Sequence, residues 1–389
     1  MITQSELGGA QSYVFDLAKN LKSEYNVIIC YGEQGEKGKL AKITKELGID
    51  SYVIDHLGRS INYKKDWFAL LYMIKLIKAI KPDILHLNSS KISILGSIAG
   101  KICGIKNIIY TAHGWVFNEK LSEKKKNLYV KLERFTAKFK HKIICVSDFD
   151  YKAAIEQKIC DKKKLTVIHN GIEEPKFKNK TEAKKIISDI INHDYNIDYN
   201  HNNSILLGSI GNLYKNKGFG FLVNATKVLL DNNVNVKTII IGEGSERKEL
   251  ENWITQLRLK KHVFLLGRID NAKELLKAFD VYICSSTKEG LSYTLIEAMM
   301  AELPIIATSV GGNKELISHD ESGLIVPPEN TNDIANSVIS LLDSKEISGA
   351  LAHKARGRAL SHFAISRMVK ETKNLYDSTV IVRDREAIS

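Results

Sequence analysis

The sequence predicts an α/β protein made of two doubly wound, Rossmann-like domains facing a cleft, and three observations carry that reading. Short β-branched runs recur with helical stretches between them, a lysine- and asparagine-rich segment breaks the rhythm near the middle, and the rhythm then resumes. Near-continuous apolar strands alternating with helices are the pattern of parallel sheets covered on both faces. The 389 residues exceed one ordinary core and fit two domains of about 150 to 200 residues each.

In the first half the runs are NVIICYG from 26, SYVIDHL from 51, ILHLNS from 84, NIIYTAH from 107, KIICVS from 142 and LTVIHNGI from 165. The polar stretch over 173–203 reads as a linker with one short helix. Then come ILLGSIGNL from 205, KTIIIG from 237, VFLLG from 263, VYICSS from 281, PIIATS from 304 and GLIVP from 323, followed by helix from about 331. The division expected is a first domain over 1–174, a linker over 175–204, a second domain over 205–360 and a closing helical segment over 361–389. Open α/β sheets bind ligands at the C-terminal ends of their strands, so two such domains would line one cleft with those ends.

Composition narrows the function classes. Apolar content of 44% with 26% charged residues is globular, not disordered. The longest apolar stretches, FALLYMIKLIKAI (68–80) and ISILGSIAGKIC (92–103), are short of the roughly 18 residues of a membrane span and are broken by lysine. The start MITQSELGGAQ lacks the layout of a signal peptide. Five scattered cysteines without a C-x-x-C imply neither a disulfide frame nor a zinc site, and a reducing cytoplasm is the simplest location.

Charge is unevenly shared: residues 1–180 hold 32 Lys and Arg against 19 Asp and Glu, a net of +13, and the remainder is −1. Within the basic half, residues 119–142 hold nine basic and three acidic residues with Leu121, Leu128, Leu132, Phe135 and Phe139 at near-helical spacing. A solvated face and an anionic membrane surface are both open readings of that helix. Nucleic acid is disfavoured, because no binding motif accompanies the charge.

The most informative segment is EGLSYTLIEAMMAELPIIATSVGG, 289–312. A loop ending at Ser292, Tyr293 and Thr294 and feeding a helix aims the first backbone N–H groups outward, where they can hold an anion such as a nucleotide diphosphate. Glu289 lies before that helix and Glu297 in its second turn. Carboxylates accept strong hydrogen bonds from hydroxyls, so the pair suits a ligand with hydroxyls at both ends of a diphosphate. A sugar nucleotide is such a ligand.

Further glycine-rich turns follow strands. Gly8-Gly9-Ala10-Gln11 opens a helix, GSIGNLYKNKGFGFLV (208–223) joins a strand to a helix through Lys217-Gly218, Gly242-Glu243-Gly244 follows KTIIIG, and Gly267-Arg268-Ile269 follows VFLL. His113 closes NIIYTAH ahead of Gly114-Trp115. Two patterns are set aside: Asp148-Phe149-Asp150 reads as a helix-start acidic pair rather than a metal element, and Gly32 to Lys39 has the wrong spacing for a phosphate loop.

Taken together these motifs resemble the retaining glycosyltransferases of family 4, which have the two-domain GT-B fold, over nearly the whole chain from Gly8 to about Tyr376. The segment from Glu289 to Glu297 matches the family's E-x7-E signature. The resemblance implies that Glu289 meets sugar hydroxyls, Glu297 the ribose, Gly9 and Lys217 the diphosphate, His113 the transferred sugar, and Gly242, Arg268 and Ile269 the nucleoside. Asn212 stands where the family has an arginine, so leaving-group charge falls on Lys217 and the N–H groups of Ser292 to Thr294. Asn170, in the N-G-I turn, is structural. The family places a full strand ahead of the glycine turn, whereas only Met1 to Glu6 precede Leu7 here, so that strand is expected to be a stub or missing and the start late or shortened. The last helix is implied to cross back to the first domain.

The implied activity is metal-independent transfer of a hexose-type residue from a nucleotide diphosphate sugar, UDP by family frequency, to an acceptor hydroxyl, with no cofactor beyond that co-substrate. The basic first half points to a lipid-linked saccharide acceptor in capsule or exopolysaccharide assembly, on the cytoplasmic face of a membrane, and to no nucleic-acid partner. The rival readings are a sugar-nucleotide-binding protein without transfer activity and a GT-B sugar-nucleotide epimerase.

Overall fold

The β-branched runs form two parallel sheets, one in each of two units. The structure, a computed structural model, describes residues 1–386 apart from 7, 34, 197, 198 and 200–203, and for 380–386 the backbone alone. One unit comprises Met1–Gly171 and the chain from Ile365 onward, the other Ile172–Ala364.

In chain order the first unit begins β1 (Ile2–Gln4), α1 (Gly9–Leu21), β2 (Ile28–Glu33), α2 (Lys39–Glu46), β3 (Asp50–Val53), α3 (Tyr63–Ile80) and β4 (Ile84–Asn88). It continues α4 (Ser90–Ile102), β5 (Asn107–Ala112), α5 (Glu123–Ala137), β6 (Lys142–Cys145), α6 (Asp148–Glu156) and β7 (Leu165–Val167). The strand order is β3-β2-β1-β4-β5-β6-β7, so the direction of winding reverses between β1 and β4. Ligands of open α/β sheets sit at such a reversal. Every residue of β5 is buried, as a central strand covered on both faces requires.

The first strand is present but spans three residues, pairing through Ile2 with Tyr31 of β2 and Asn88 of β4. Because the first halves of β2 and β4 are not joined through it, an apolar cavity lies there, lined among others by Leu17, Ile28, Ile29, Ile84, Leu85 and Tyr376.

On one side of this sheet α4 packs against both α3 and α5. The apolar spacing over 119–142 does make a helix, yet its buried face is Val130, Glu133, Thr136 and Ala137, while Leu128 and Phe135 are exposed. The reason is a buried ion pair: Glu133 takes the Lys140 ammonium at 2.9 Å and the Ser93 hydroxyl at 3.0 Å, which turns the acidic residue inward and the leucine-phenylalanine stripe outward. The pair Asp148 and Asp150 opens α6, capped by Ser147, with the Asp150 carbonyl accepting the Trp115 indole N–H at 2.9 Å.

The second unit runs α7 (Lys180–Tyr195), β8 (Ile205–Ile210), α8 (Phe219–Asp231), β9 (Val236–Ile241), α9 (Arg247–Gln256), β10 (Val263–Leu265) and β11 (Val281–Cys284). Then follow α10 (Tyr293–Met300), β12 (Ile305–Thr308), α11 (Asn313–Leu316), β13 (Leu324–Val326), α12 (Thr331–Asp343) and α13 (Lys345–His362). Its order, β10-β9-β8-β11-β12-β13, reverses between β8 and β11. The final helix α14 (Ile365–Glu386) belongs to the first unit, where it packs on α1.

The stretch read as a linker, 175–204, differs from that reading where it is described. It carries the 16-residue α7, which buries Ala183, Ile187 and Ile191 and packs against the helical turn Ala272–Ala278 of the same unit. Three apolar residues four apart form a stripe wide enough to dock, and the lysines between them pair with carboxylates, Lys184 with Asp280 at 3.9 Å and Lys185 with Asp189 at 2.8 Å. Residues 197, 198 and 200–203 of that stretch lie outside the described residues.

Candidate active site

In the second unit the sequence-predicted residues gather in loops at the C-terminal ends of the strands, on both sides of the reversal. After β8 the chain passes Asn212 and makes a tight turn over Lys215–Lys217 before Gly218 starts α8. Gly218 has φ +63°, and a Cβ there would lie 2.2 Å from the Ser285 carbonyl oxygen, so only glycine lets this turn press on the loop after β11. The two loops are laced together: the Ser285 hydroxyl donates to the Lys217 carbonyl at 3.1 Å and the Thr287 N–H to that of Asn216 at 2.8 Å.

That lacing brings Lys217 to Glu289. The ammonium is 2.7 Å from Oε1, and the Ser286 hydroxyl donates to the same oxygen at 2.6 Å. Burial alone would favour the neutral amine, but the adjoining carboxylate outweighs it and holds the Lys217 pKa above its ordinary value. The turn therefore offers a fixed cation beside a fixed carboxylate. Behind Glu289, Gly311 adopts φ +51° where a Cβ would lie 1.9 Å from the Glu289 carbonyl oxygen, and the Gly312 N–H donates to Gly290 at 2.8 Å.

The helix α10 begins immediately after this loop. The Ser292 hydroxyl caps it by accepting the Leu295 N–H at 3.4 Å, and Tyr293 and Thr294 form its first turn. Glu297 follows on the second turn, half-buried. Beneath it, Tyr282 of β11 is fully buried with its phenol pKa pushed up by burial; its hydroxyl reaches the Ile210 carbonyl at 3.5 Å and lies near Thr294 and Glu297.

The remaining positions adjoin the Asn212 loop. Gly242 donates its N–H to the Gly267 carbonyl at 2.8 Å, and a Cβ on it would lie 1.9 Å from the Gly211 carbonyl oxygen. The Leu213 N–H in turn donates to the Glu243 carbonyl at 2.9 Å. Asn212 and Gly242 thus sit side by side, with Arg268 exposed and Ile269 half-buried just beyond Gly267.

The first unit holds Gly9 and His113, each at the C-terminal end of a strand: Gly9 is the exposed first residue of α1 after β1, and His113 follows β5. Burial depresses the His113 pKa from 6.5 to about 3, so the ring is neutral. Its Nε2 meets Asn88 Oδ1 at 3.1 Å, and a carbonyl oxygen only accepts, which places the proton on Nε2 and leaves Nδ1 as the acceptor. Tyr13 packs edge-on against the ring at 4.8 Å. Behind them runs a chain of hydrogen bonds from Tyr13 to Thr111 (3.2 Å), Thr111 to His86 (2.7 Å) and His86 to Tyr376 of α14 (2.5 Å). His86 is also held neutral by burial.

Sequence reasoning did not find Ser286, Tyr282, Asn88 or Tyr13. Asn88 and Tyr13 meet His113 only through the sheet order, and Tyr282 looks like an ordinary strand residue. Ser286, three residues before Glu289, carries the one local signal.

Two Rossmann-like units, one of them with an anion-ready helix start and a lysine–carboxylate pair at a reversal of strand order, have the architecture of ligand-binding α/β enzymes. Residues 7–174 match the family described as Glycosyltransferase Family 4, and residues 195–358 match Glycosyl transferases group 1. The chain is a glycosyltransferase of family 4 with the GT-B fold.

Among its relatives, an Escherichia coli protein named UDP-Gal:alpha-D-GlcNAc-diphosphoundecaprenol alpha-1,3-galactosyltransferase is 29% identical, covering 94% of this chain and 92% of that one. The Staphylococcus aureus capsular polysaccharide biosynthesis glycosyltransferase CapM is 26% identical over 82% of this chain and 83% of its own. The crystal structure of Anabaena HepE in complex with UDP-glucose shares the fold, with a TM-score of 0.81 at 19% identity over 97% of this chain and 98% of that one.

Proposed function

We propose that the protein is a retaining glycosyltransferase that moves a hexose-type residue from a UDP-sugar to a hydroxyl of a lipid-linked saccharide during surface polysaccharide assembly. The observation that carries this reading is the Lys217–Glu289 pair beside the start of α10, at the strand-order reversal of the second sheet. Transfer builds negative charge on the departing diphosphate. A carboxylate-held ammonium and the first N–H groups of a helix are fixed donors for that charge, so no metal or cofactor enters the mechanism.

Glu289 is assigned to sugar hydroxyls and Glu297 to the ribose, as charge-assisted acceptors. Gly242, Arg268 and Ile269 border the nucleoside, with Asn212 and Gly9 assigned to the diphosphate. His113, neutral and with Nδ1 as acceptor, takes a hydroxyl of the transferred sugar. In the step itself the bond from the sugar C1 to phosphate oxygen breaks, the acceptor oxygen bonds C1 on the same face, and the acceptor proton passes to the departing phosphate. No side-chain base is needed.

Support for UDP and for a lipid-linked acceptor comes from the Escherichia coli relative, whose name specifies both, and from the UDP-glucose complex of HepE. A cytoplasmic enzyme held peripherally at the inner membrane face fits that acceptor, and no described helix is long and apolar enough to cross a membrane. The exposed Asn212 amide, at the family's arginine position, favours a second reading as a weak or inactive binding protein.

Purified protein given a panel of nucleotide sugars, with and without membrane lipid extract and with a chelator, separates these readings. Chelator-resistant UDP release that needs the lipid fraction is the expected result. Acceptor-independent epimerisation, or nucleotide binding without release, contradicts transfer.

A further inference from the structure

Two helices of the first unit carry the same exposed pattern. On α3, Lys64, Phe68, Leu71, Lys75 and Lys78 are all exposed, and on α5 with its C-cap residue, Lys124, Leu128, Lys131, Phe135 and Lys138 are all exposed. Each set follows the spacing i, i+4, i+7, i+11, i+14, which is one stripe along a helix. Large apolar side chains ordinarily turn inward, yet here they alternate with lysines on the outer face. The start of α3 adds Ile61, Tyr63 and Trp67, at 59%, 86% and 59% exposure.

The helix between them continues the surface. Among the residues of α4 that are not buried, Ile94, Leu95 and Ile98 are half-buried and Ile102 is exposed, all apolar. Of the acids on these helices, Asp66 pairs with Lys91 at 2.7 Å and Glu133 with Lys140 at 2.9 Å, which leaves Glu123, at the start of α5, as the exposed one.

We infer that the outer face of α3, α4 and α5 is a docking surface for an anionic lipid bilayer, with Trp67, Phe68, Leu71, Leu128 and Phe135 entering the interface and the lysines meeting lipid phosphates. Aromatic and aliphatic side chains interleaved with lysine match that boundary, where apolar area and positive charge both add to binding. A second copy of this chain would bring the same lysines against themselves. An anionic surface is the complementary occupant. The inference sharpens the lipid-linked acceptor proposed above and rests on that reading only for its biological use, since the surface binds vesicles whether or not transfer occurs.

Vesicle flotation tests it, with phosphatidylglycerol or phosphatidylcholine vesicles and Trp67 fluorescence read against brominated lipid. The wild type should float with the anionic vesicles, and Trp67 emission should shift blue and be quenched; the Trp67→Phe variant reports the background from Trp115 and Trp253. The triple variant Phe68→Ser, Leu71→Ser, Phe135→Ser keeps every charge and should weaken flotation at least about tenfold, because burial of each large apolar side chain contributes. Lys64→Gln, Lys75→Gln, Lys131→Gln should weaken it similarly and reduce its salt dependence.

Thermal melting and UDP release from soluble donor check that the variants fold, as none of these residues touches the proposed donor site. Flotation unchanged in the apolar triple variant overturns the inference, as does an unquenched Trp67. Concentration-dependent dimers without vesicle binding assign the face to a second copy and also overturn it. Failure of transfer with intact flotation counts against the function alone.

Discussion

The two units carry chemistry of opposite character on the same kind of scaffold. In the second, the loops at the strand-order reversal hold a charged pair, Lys217 and Glu289, with an open helix start beside it. In the first, on β4 and just past β5, beside the equivalent reversal, His86 and His113 are both kept uncharged by burial, and His86 is hydrogen-bonded to Tyr376 of α14. Under the proposed function, one sheet supplies electrostatic stabilisation and the other shape and hydrogen-bond direction. The charge balance runs in the opposite sense, since residues 1–180 carry a net +13 and the remainder −1.

The largest effect should come from the charged side. Lys217→Ala removes the fixed cation and should lower kcat by about 10²- to 10³-fold, the range for losing one pre-organised donor; UDP release at saturating donor measures it, and a wild-type rate would refute the assignment of Lys217 to the diphosphate. Glu297→Ala should raise the nucleotide KM roughly tenfold or more while sparing kcat, as loss of a charged hydrogen bond predicts. Unchanged nucleotide affinity would remove Glu297 from the ribose.

Gly311→Ala probes how the pair is held. Its φ of +51° and the 1.9 Å approach of a Cβ to the Glu289 carbonyl mean the loop must move, costing about 1–3 kcal/mol in denaturant melts of the protein. Full stability with full activity would show that the loop is not positioned by that glycine.

The smallest effect separates the neutral side. The folded His113 pKa of about 3 lies below its unfolded value near 6.5, so the unfolded chain binds more protons in that window. Stability is therefore undiminished above pH 6.5 and falls as pH drops toward 3, by roughly 1 kcal/mol per pH unit for each such histidine. His113→Asn should flatten the acid slope of Tm, leaving the part due to His86. An unchanged slope would mean that His113 is already charged in the folded state.

Much of the fold was legible because the strands are near-continuous apolar runs whose pattern survives without knowledge of their neighbours. The stretch over 175–204 was not, since lysines and asparagines dominate its composition and the stripe of Ala183, Ile187 and Ile191 shows only at helical period. In the basic helix the spacing of Leu128 and Phe135 was visible, but which way it faced depended on the burial of Glu133 with Lys140, a contact with no local signature. At the site, residues in glycine-marked loops could be named from sequence. Asn88, Tyr13 and Tyr282 could not, because strand order alone brings them to their partners.

In the proposed reaction the second unit holds the donor nucleotide while His113 acts on the sugar. Calorimetric titration of UDP into wild type, Lys217→Ala, Glu297→Ala and His113→Ala tests it most directly. UDP affinity should be weakened by about tenfold or more in Lys217→Ala and Glu297→Ala and stay at the wild-type level in His113→Ala even though its transfer is impaired. Loss of UDP binding in His113→Ala, with binding intact in both second-unit variants, would contradict it.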